Sequence, residues 1–215
     1  GSGPRDFVFC PGLGGPVVTY RKLFRHFAGQ FRFITWEPRG LYRSGMPAGG
    51  EADLRIEDHV SDLEEIVERE GLERFVLGGW SMGVQLSLEY AHRHPERCSE
   101  LVLVNGTYGR ILSTVPGGER AQIPLLNLLS RAGPLLGLGA RGLLDKRATV
   151  ALMRRFGFIS GNPEEFRTVV GEFKQLEFGR YLRMILRLNE HTAEPYLGEL
   201  DLPALVTAGT RDWMA

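Results

Sequence analysis

Apolar runs and helical stripes alternate along the chain. FVFC at 7–10 is a short β-favouring run that stops at a Pro/Gly cluster, and residues 17–28 then carry helical spacing. RFITWE at 32–37 reads as a second strand, followed by a turn-rich loop to Asp53. Ile56, Val60, Leu63, Ile66 and Val67 then fall on one stripe, which predicts a helix over 56–70 with an acidic, solvated back face. FVLGGW at 75–80 predicts a third strand, 82–92 a helix ending before Pro95, ELVLVNG at 100–106 a fourth strand, and PALVTAG at 203–209 a fifth. Strands that are apolar throughout and separated by amphipathic helices need cover on both faces, which a parallel sheet between two helix layers provides. The expected fold class is α/β, a mostly parallel sheet with helices on both faces.

The rhythm breaks between Gly106 and Leu202, where no strand pattern appears and Leu-rich helical patches follow one another at 123–129, 147–156 and 164–188. Structureless loops longer than about 12–15 residues are uncommon in compact domains, so this excursion is expected to be an inserted helical cap acting as a lid. The alternative is that these helices only extend the core. The expected division is a first part of the core at 1–106, the cap at 107–200, and a continuation of the core at 201–215. No internal repeat or low-complexity tract is visible.

Composition narrows the function. Lys plus Arg and Asp plus Glu are each 26, without runs of like charge, so neither a nucleic-acid footprint nor a polybasic membrane patch is expected. A small uncharged partner fits better. Two cysteines, Cys10 and Cys98, make no disulfide framework, and no Cys/His cluster has metal-ligand spacing, so neither a metal nor a cofactor is expected. A reducing, cytoplasmic setting is the corresponding expectation. The most apolar stretch, 123–140, is interrupted by Asn127, Ser130, Arg131 and Pro134 and does not read as a membrane span.

The motif that carries chemistry is Gly79, Trp80, Ser81, Met82, Gly83, a G-x-S-x-G between a predicted strand and a predicted helix. In that context the serine occupies a strained turn that lifts its hydroxyl above the sheet edge, and small neighbours let strand and helix approach. Ser81 is therefore the candidate nucleophile, and the amide of Met82 points where a tetrahedral oxyanion would form. Trp80 reads equally as an acyl-pocket wall or as packing beside the turn. The Pro11, Gly12, Leu13, Gly14, Gly15 cluster follows the first strand. It is either a tight turn needing positive φ or the loop whose Leu13 amide gives the second oxyanion donor. In a parallel sheet both loops open at the same carboxyl-end crevice, which favours the second reading. No G-x-x-x-x-G-K-[ST] is present, which excludes a phosphate loop of that type.

Taken together, CPGLGG, WEPRGLYRSG, GWSMG with HRHPERCSELVLVNG, and PALVTAGTRD resemble the bacterial α/β-hydrolase superfamily, in its capped branch of esterases, enol-lactonases, C–C bond hydrolases and proline iminopeptidases. The resemblance implies an α/β-hydrolase fold and a Ser-His-Asp triad acting through an acyl-enzyme. It departs from the family at Cys10-Pro11-Gly12, where His-Gly is frequent, and at Tyr42, where the Glu37/Arg39/Gly40/Ser44 loop more often carries glycine. In this fold the triad runs Ser, acid, His, with the acid after the strand that follows the cap, which makes Asp212 the candidate acid. The base is then expected about one helix and one strand further on, outside this chain. The chain accordingly reads as incomplete at both ends and, alone, as inactive. His26, His59, His92 and His94 read as surface groups, while His191, near the end of the cap, is retained as a substitute base or substrate contact.

The expected function is a serine hydrolase acting on an ester, thioester, lactone or related acyl bond of a small, apolar substrate. An acyltransferase on the same scaffold, and a non-catalytic ligand- or partner-binding module, stay open as alternatives. Leu125, Leu126, Leu128, Leu129, Leu135 and Leu136 make the cap greasy, which suits an apolar acyl or alcohol portion or simply cap packing.

Overall fold

The computed structural model describes residues 1–13, 15–133, 168–172 and 174–210. Five strands form one sheet: β1 (Arg5–Cys10), β2 (Phe31–Ile34), β3 (Phe75–Trp80), β4 (Cys98–Val104) and β5 (Ala204–Thr207). Their spatial order is β2-β1-β3-β4-β5, and every neighbouring pair is parallel. The Phe75 strand is thus central, between those of Phe7 and Glu100. Alternation along the strands explains the two-faced burial. Val8, Cys10, Leu77 and Leu101 enter one core cluster, whereas Phe7, Phe9 and Val76 enter another on the opposite face.

The first face is covered by α2 (Ile56–Arg69) and α3 (Met82–Arg93). On α2 the apolar stripe of Ile56, Val60, Leu63 and Val67 is buried, and Asp58 accepts the backbone N–H of Arg55 at 2.9 Å to start the helix. The other face is covered by a 3-10 turn at Val17–Tyr20 running into α1 (Arg21–His26). Tyr20 and Phe24 from this segment pack on Phe9, with ring centroids 4.7 and 5.5 Å away. The second strand is shorter than RFITWE suggests. It ends at Ile34 because the following loop bonds to itself: Glu37 accepts from the Arg43 amide at 3.0 Å, and Ser44 Oγ donates to the Glu37 carbonyl at 2.7 Å.

Between β4 and β5 lie α4 (Gly118–Arg131) and α5 (Phe178–Leu188). Glu177 caps α5 by accepting from the amides of Gly179 and Arg180 at 2.8 and 2.6 Å. Asn189, at the end of α5, accepts from the Leu112 amide at 2.8 Å and donates to Glu119 of α4 at 2.8 Å. The departing and returning chain meet at one neck, where Gly109 bridges Thr192 and the Arg110 amide donates to the His191 carbonyl at 3.1 Å. The expected helical patch at 147–156, together with Leu135 and Leu136, lies outside the described residues.

Candidate active site

The register brings the ends of four strands to one edge. Cys10 pairs with Gly79, Trp80 with Val104, and Val104 with Thr207, so the loops after β1, β3 and β4 open together. Ser81 sits between β3 and α3 at φ 56° and ψ −117°, a conformation that costs a non-glycine residue roughly 1–3 kcal/mol. Its amide donates to the Val104 carbonyl at 3.1 Å, and its carbonyl accepts from Val84 at 3.0 Å, so both sides of the turn are held.

The glycines around it allow this geometry. A Cβ on Gly79 would stand 2.0 Å from the Gly83 carbonyl oxygen, and one on Gly83 would stand 2.1 Å from that of Cys10. Strand and helix approach this closely only without side chains at those positions.

Ser81, Met82, Leu13 and Trp80 all line one cavity of about 400 Å³. Met82 is the first residue of α3, so its amide has no carbonyl partner within the helix. The Leu13 loop is tied from two directions. The Gly12 amide donates to the Tyr20 hydroxyl at 3.0 Å, and the Tyr42 hydroxyl donates to the Leu13 carbonyl at 3.5 Å. Tyr42 itself holds a left-handed backbone, φ 49°, a conformation that favours glycine. Trp80 lines the cavity and packs edge-on against Tyr20, with ring centroids 6.0 Å apart.

The leucines between residues 125 and 136 divide. Leu126 lines the cavity, Leu125 and Leu128 are exposed, and Leu135 and Leu136 are not among the described residues. Other walls come from Ile111, Leu112, Tyr181 and Ile185, and no charged side chain occurs among the described lining residues. Asp212 lies outside the described residues, as does Gly14.

Two histidines differ from expectation. His191 is buried and does not line the cavity; its Nε2 lies 3.1 Å from Glu89 Oε2 and 3.1 Å from the Tyr196 hydroxyl. A ring engaged in this way is not placed to take a proton from Ser81. His59 is not a surface group: it is fully buried in α2, with both ring nitrogens unpartnered, and burial lowers its pKa to about 4.

Cys10, the last residue of β1, is buried, and its thiol is pushed up to about 12 by desolvation, so it remains protonated. Sequence reasoning passed over Gln85, which lines the cavity one helical turn after Ser81. The available signal was α3 itself, a helix buried over 82–91 whose polar residues must all find partners.

The model of the α/β-hydrolase fold family matches residues 7–215. Among curated proteins, a putative carbamate hydrolase of Rhizobium rhizogenes is 28% identical over 214 residues, covering 97% of this chain and 74% of that protein. A probable proline iminopeptidase of Leptolyngbya boryana is 36% identical over 90 residues, or 42% of this chain and 27% of that protein, so the matched part is less than a third of that relative. Among solved structures, a hydrolase from Oleispira antarctica superposes with a TM-score of 0.76 at 17% identity, covering 100% of this chain and 76% of that one. The enol-lactonase from Burkholderia xenovorans gives 0.73 at 18% identity, covering 98% and 74%.

Proposed function

The chain belongs to the α/β-hydrolase fold family, and from that premise we propose that it is a serine hydrolase that cleaves an ester, thioester, lactone or carbamate of a small, uncharged, largely apolar substrate. The observation that carries this reading is Ser81 in its strained turn, lining one cavity with Leu13 and Met82. Ser81 Oγ attacks the substrate carbonyl carbon, and the Leu13 and Met82 amides donate to the oxyanion. The leaving group departs with the proton taken from Ser81 through a histidine base, which Asp212 orients. Water then adds to the acyl-enzyme and releases the acid.

The segment 107–200 acts as a cap over this cavity. Support comes from its neck at Gly109 and Thr192, and from the lining that Leu126, Tyr181 and Ile185 provide. The names of the relatives point to different bonds, but hydrolysis of a carbamate or an enol-lactone shares acyl transfer to water. Without a charged group among the described lining residues, a substrate with a free ammonium or carboxylate finds no counter-charge there.

The test is fluorophosphonate labelling of the full-length gene product, read by peptide mass spectrometry, with aryl-ester turnover alongside. Labelling is expected at Ser81, and Ser81→Ala is expected to lower kcat by ~10⁴–10⁶-fold. Labelling at another serine, or none, would remove the assignment and leave a ligand-binding module.

A further inference from the structure

Residues 81, 85, 89 and 93 recur at four-residue spacing, so Gln85, Glu89 and Arg93 run in a row along the face of α3 that starts at Ser81. The row is wired by hydrogen bonds. Arg93 Nε donates to Glu89 Oε1 at 2.8 Å, and the Tyr196 hydroxyl donates to Glu89 Oε2 at 2.5 Å. His191 Nε2 reaches the same Oε2 at 3.1 Å, and its Nδ1 lies 3.5 Å from Gln85 Nε2. Gln85 Nε2 also donates to the Leu188 carbonyl at 3.2 Å.

The chemistry of these partners orients the amide. The Leu188 carbonyl only accepts, so the end of the Gln85 amide 3.2 Å from it is its NH₂ group, and the reversed orientation would set oxygen against oxygen. Gln85 Oε1 accepts from no described group, although the residue is only 2% exposed and lines the cavity.

We propose that Gln85 is a specificity-determining residue whose Oε1 selects substrates with an N–H or O–H donor in the acyl portion. The proposal rests on the reading of this cavity as an acyl pocket. Ser81 is the N-cap of α3 and Gln85 lies in its first turn, and both line the one cavity, so the acceptor shares the space that holds the carbonyl Ser81 attacks. A hydroxyacyl, carbamoyl or acylamino group meets this requirement, and a plain alkyl chain sets a methylene against a buried acceptor that has lost its water.

The test needs no turnover. Pentanamide and butyl methyl ketone differ only in NH₂ for CH₃, and ligand-detected NMR gives their Kd values on the full-length protein. The wild type is expected to favour the amide. Gln85→Leu and Gln85→Met, checked for folding by thermal melting, are expected to reduce the amide-to-ketone preference by roughly three- to tenfold. A wild type that binds the ketone as tightly as the amide overturns the proposal, whether or not the variants fold. An unchanged ratio in folded variants overturns it as well. Failure of fluorophosphonate to label Ser81 removes the catalytic reading alone, because the binding ratio is measured without catalysis.

Discussion

His59 shows how a single residue sets a pH limit on the fold. Its imidazole is wholly buried on α2, and desolvation lowers its pKa from 6.5 to about 4, with Arg39 acting in the same direction and Asp62 and Asp58 opposing. The folded value lies below the unfolded one, so the unfolded chain binds more protons and stability falls as pH drops from about 6.5 toward 4. The full effect of this gap is about 3 kcal/mol. Glu89 acts in a lower window, because the His191 hydrogen bond holds its carboxyl at about 2 against an ordinary 4.5, and its contribution is lost only as pH falls through that range. Denaturant titrations between pH 7 and 5, run on the wild type and on His59→Leu, therefore probe His59 apart from Glu89. His59→Leu is expected to flatten that limb and to be at least as stable at pH 7, since no hydrogen bond is lost. An unchanged slope in His59→Leu would rule the residue out as the source. The burial was legible in the sequence, because His59 stands three residues after Ile56 and four before Leu63, on the buried stripe. Its neighbours Asp58 and Asp62 argued for the surface, and Asp62 is part-exposed and pairs with Arg39 at 2.6 Å. The strained turn at Ser81 was legible because the G-x-S-x-G spacing has a backbone cause. Gln85 was not, because its role depends on His191 and Leu188, more than a hundred residues away.

At the scale of elements, apolar runs located all five strands, whereas their ends were set by hydrogen bonds that no hydrophobic pattern reveals. β2 stops at Ile34 for the sake of the Glu37 loop, and the segment after β1 begins as a 3-10 turn so that Tyr20 can meet the Gly12 amide. The helices α4 and α5 were legible as helical patches but not in their clamps. Asn189 is one such clamp, joining the end of α5 to Leu112 in the cavity wall and to Glu119 on α4. Asn189→Ala leaves the Leu112 N–H without its acceptor at a buried position, and a loss of about 1–3 kcal/mol is expected in urea unfolding. Ligand affinity for the cavity should weaken together with it, because Leu112 would no longer be fixed. A midpoint and slope equal to the wild type would mean that α4 and α5 are held without this clamp, by contacts such as the Arg183 hydrogen bond to the Ser130 carbonyl.

At the scale of the whole molecule, the two edges of the sheet are unequal. On β2 the edge carries Arg32, which pairs with Asp6 at 2.5 Å, a charge placed where strands tend to associate. The β5 strand, ALVT, carries no charged residue. All four of its residues are exposed, Leu205 by 58% and Val206 by 69%, and since successive residues point to opposite faces, both faces are uncovered there. A short, uncharged, apolar edge strand with free backbone groups is a template for pairing with another strand, and it adds apolar area to the surface. The 215-residue chain is therefore expected to self-associate at tens of micromolar, with sedimentation velocity showing species heavier than the monomer. Leu205→Glu with Val206→Lys puts opposite charges on the two faces of the edge, and it should return the chain to monomer without lowering its melting temperature, because neither side chain is buried. A wild type that sediments as monomer throughout that range would show that this edge is not a pairing surface. Self-association that survives the double substitution would place the contact elsewhere, with the exposed Leu125 and Leu128 of α4 as the next surface to change.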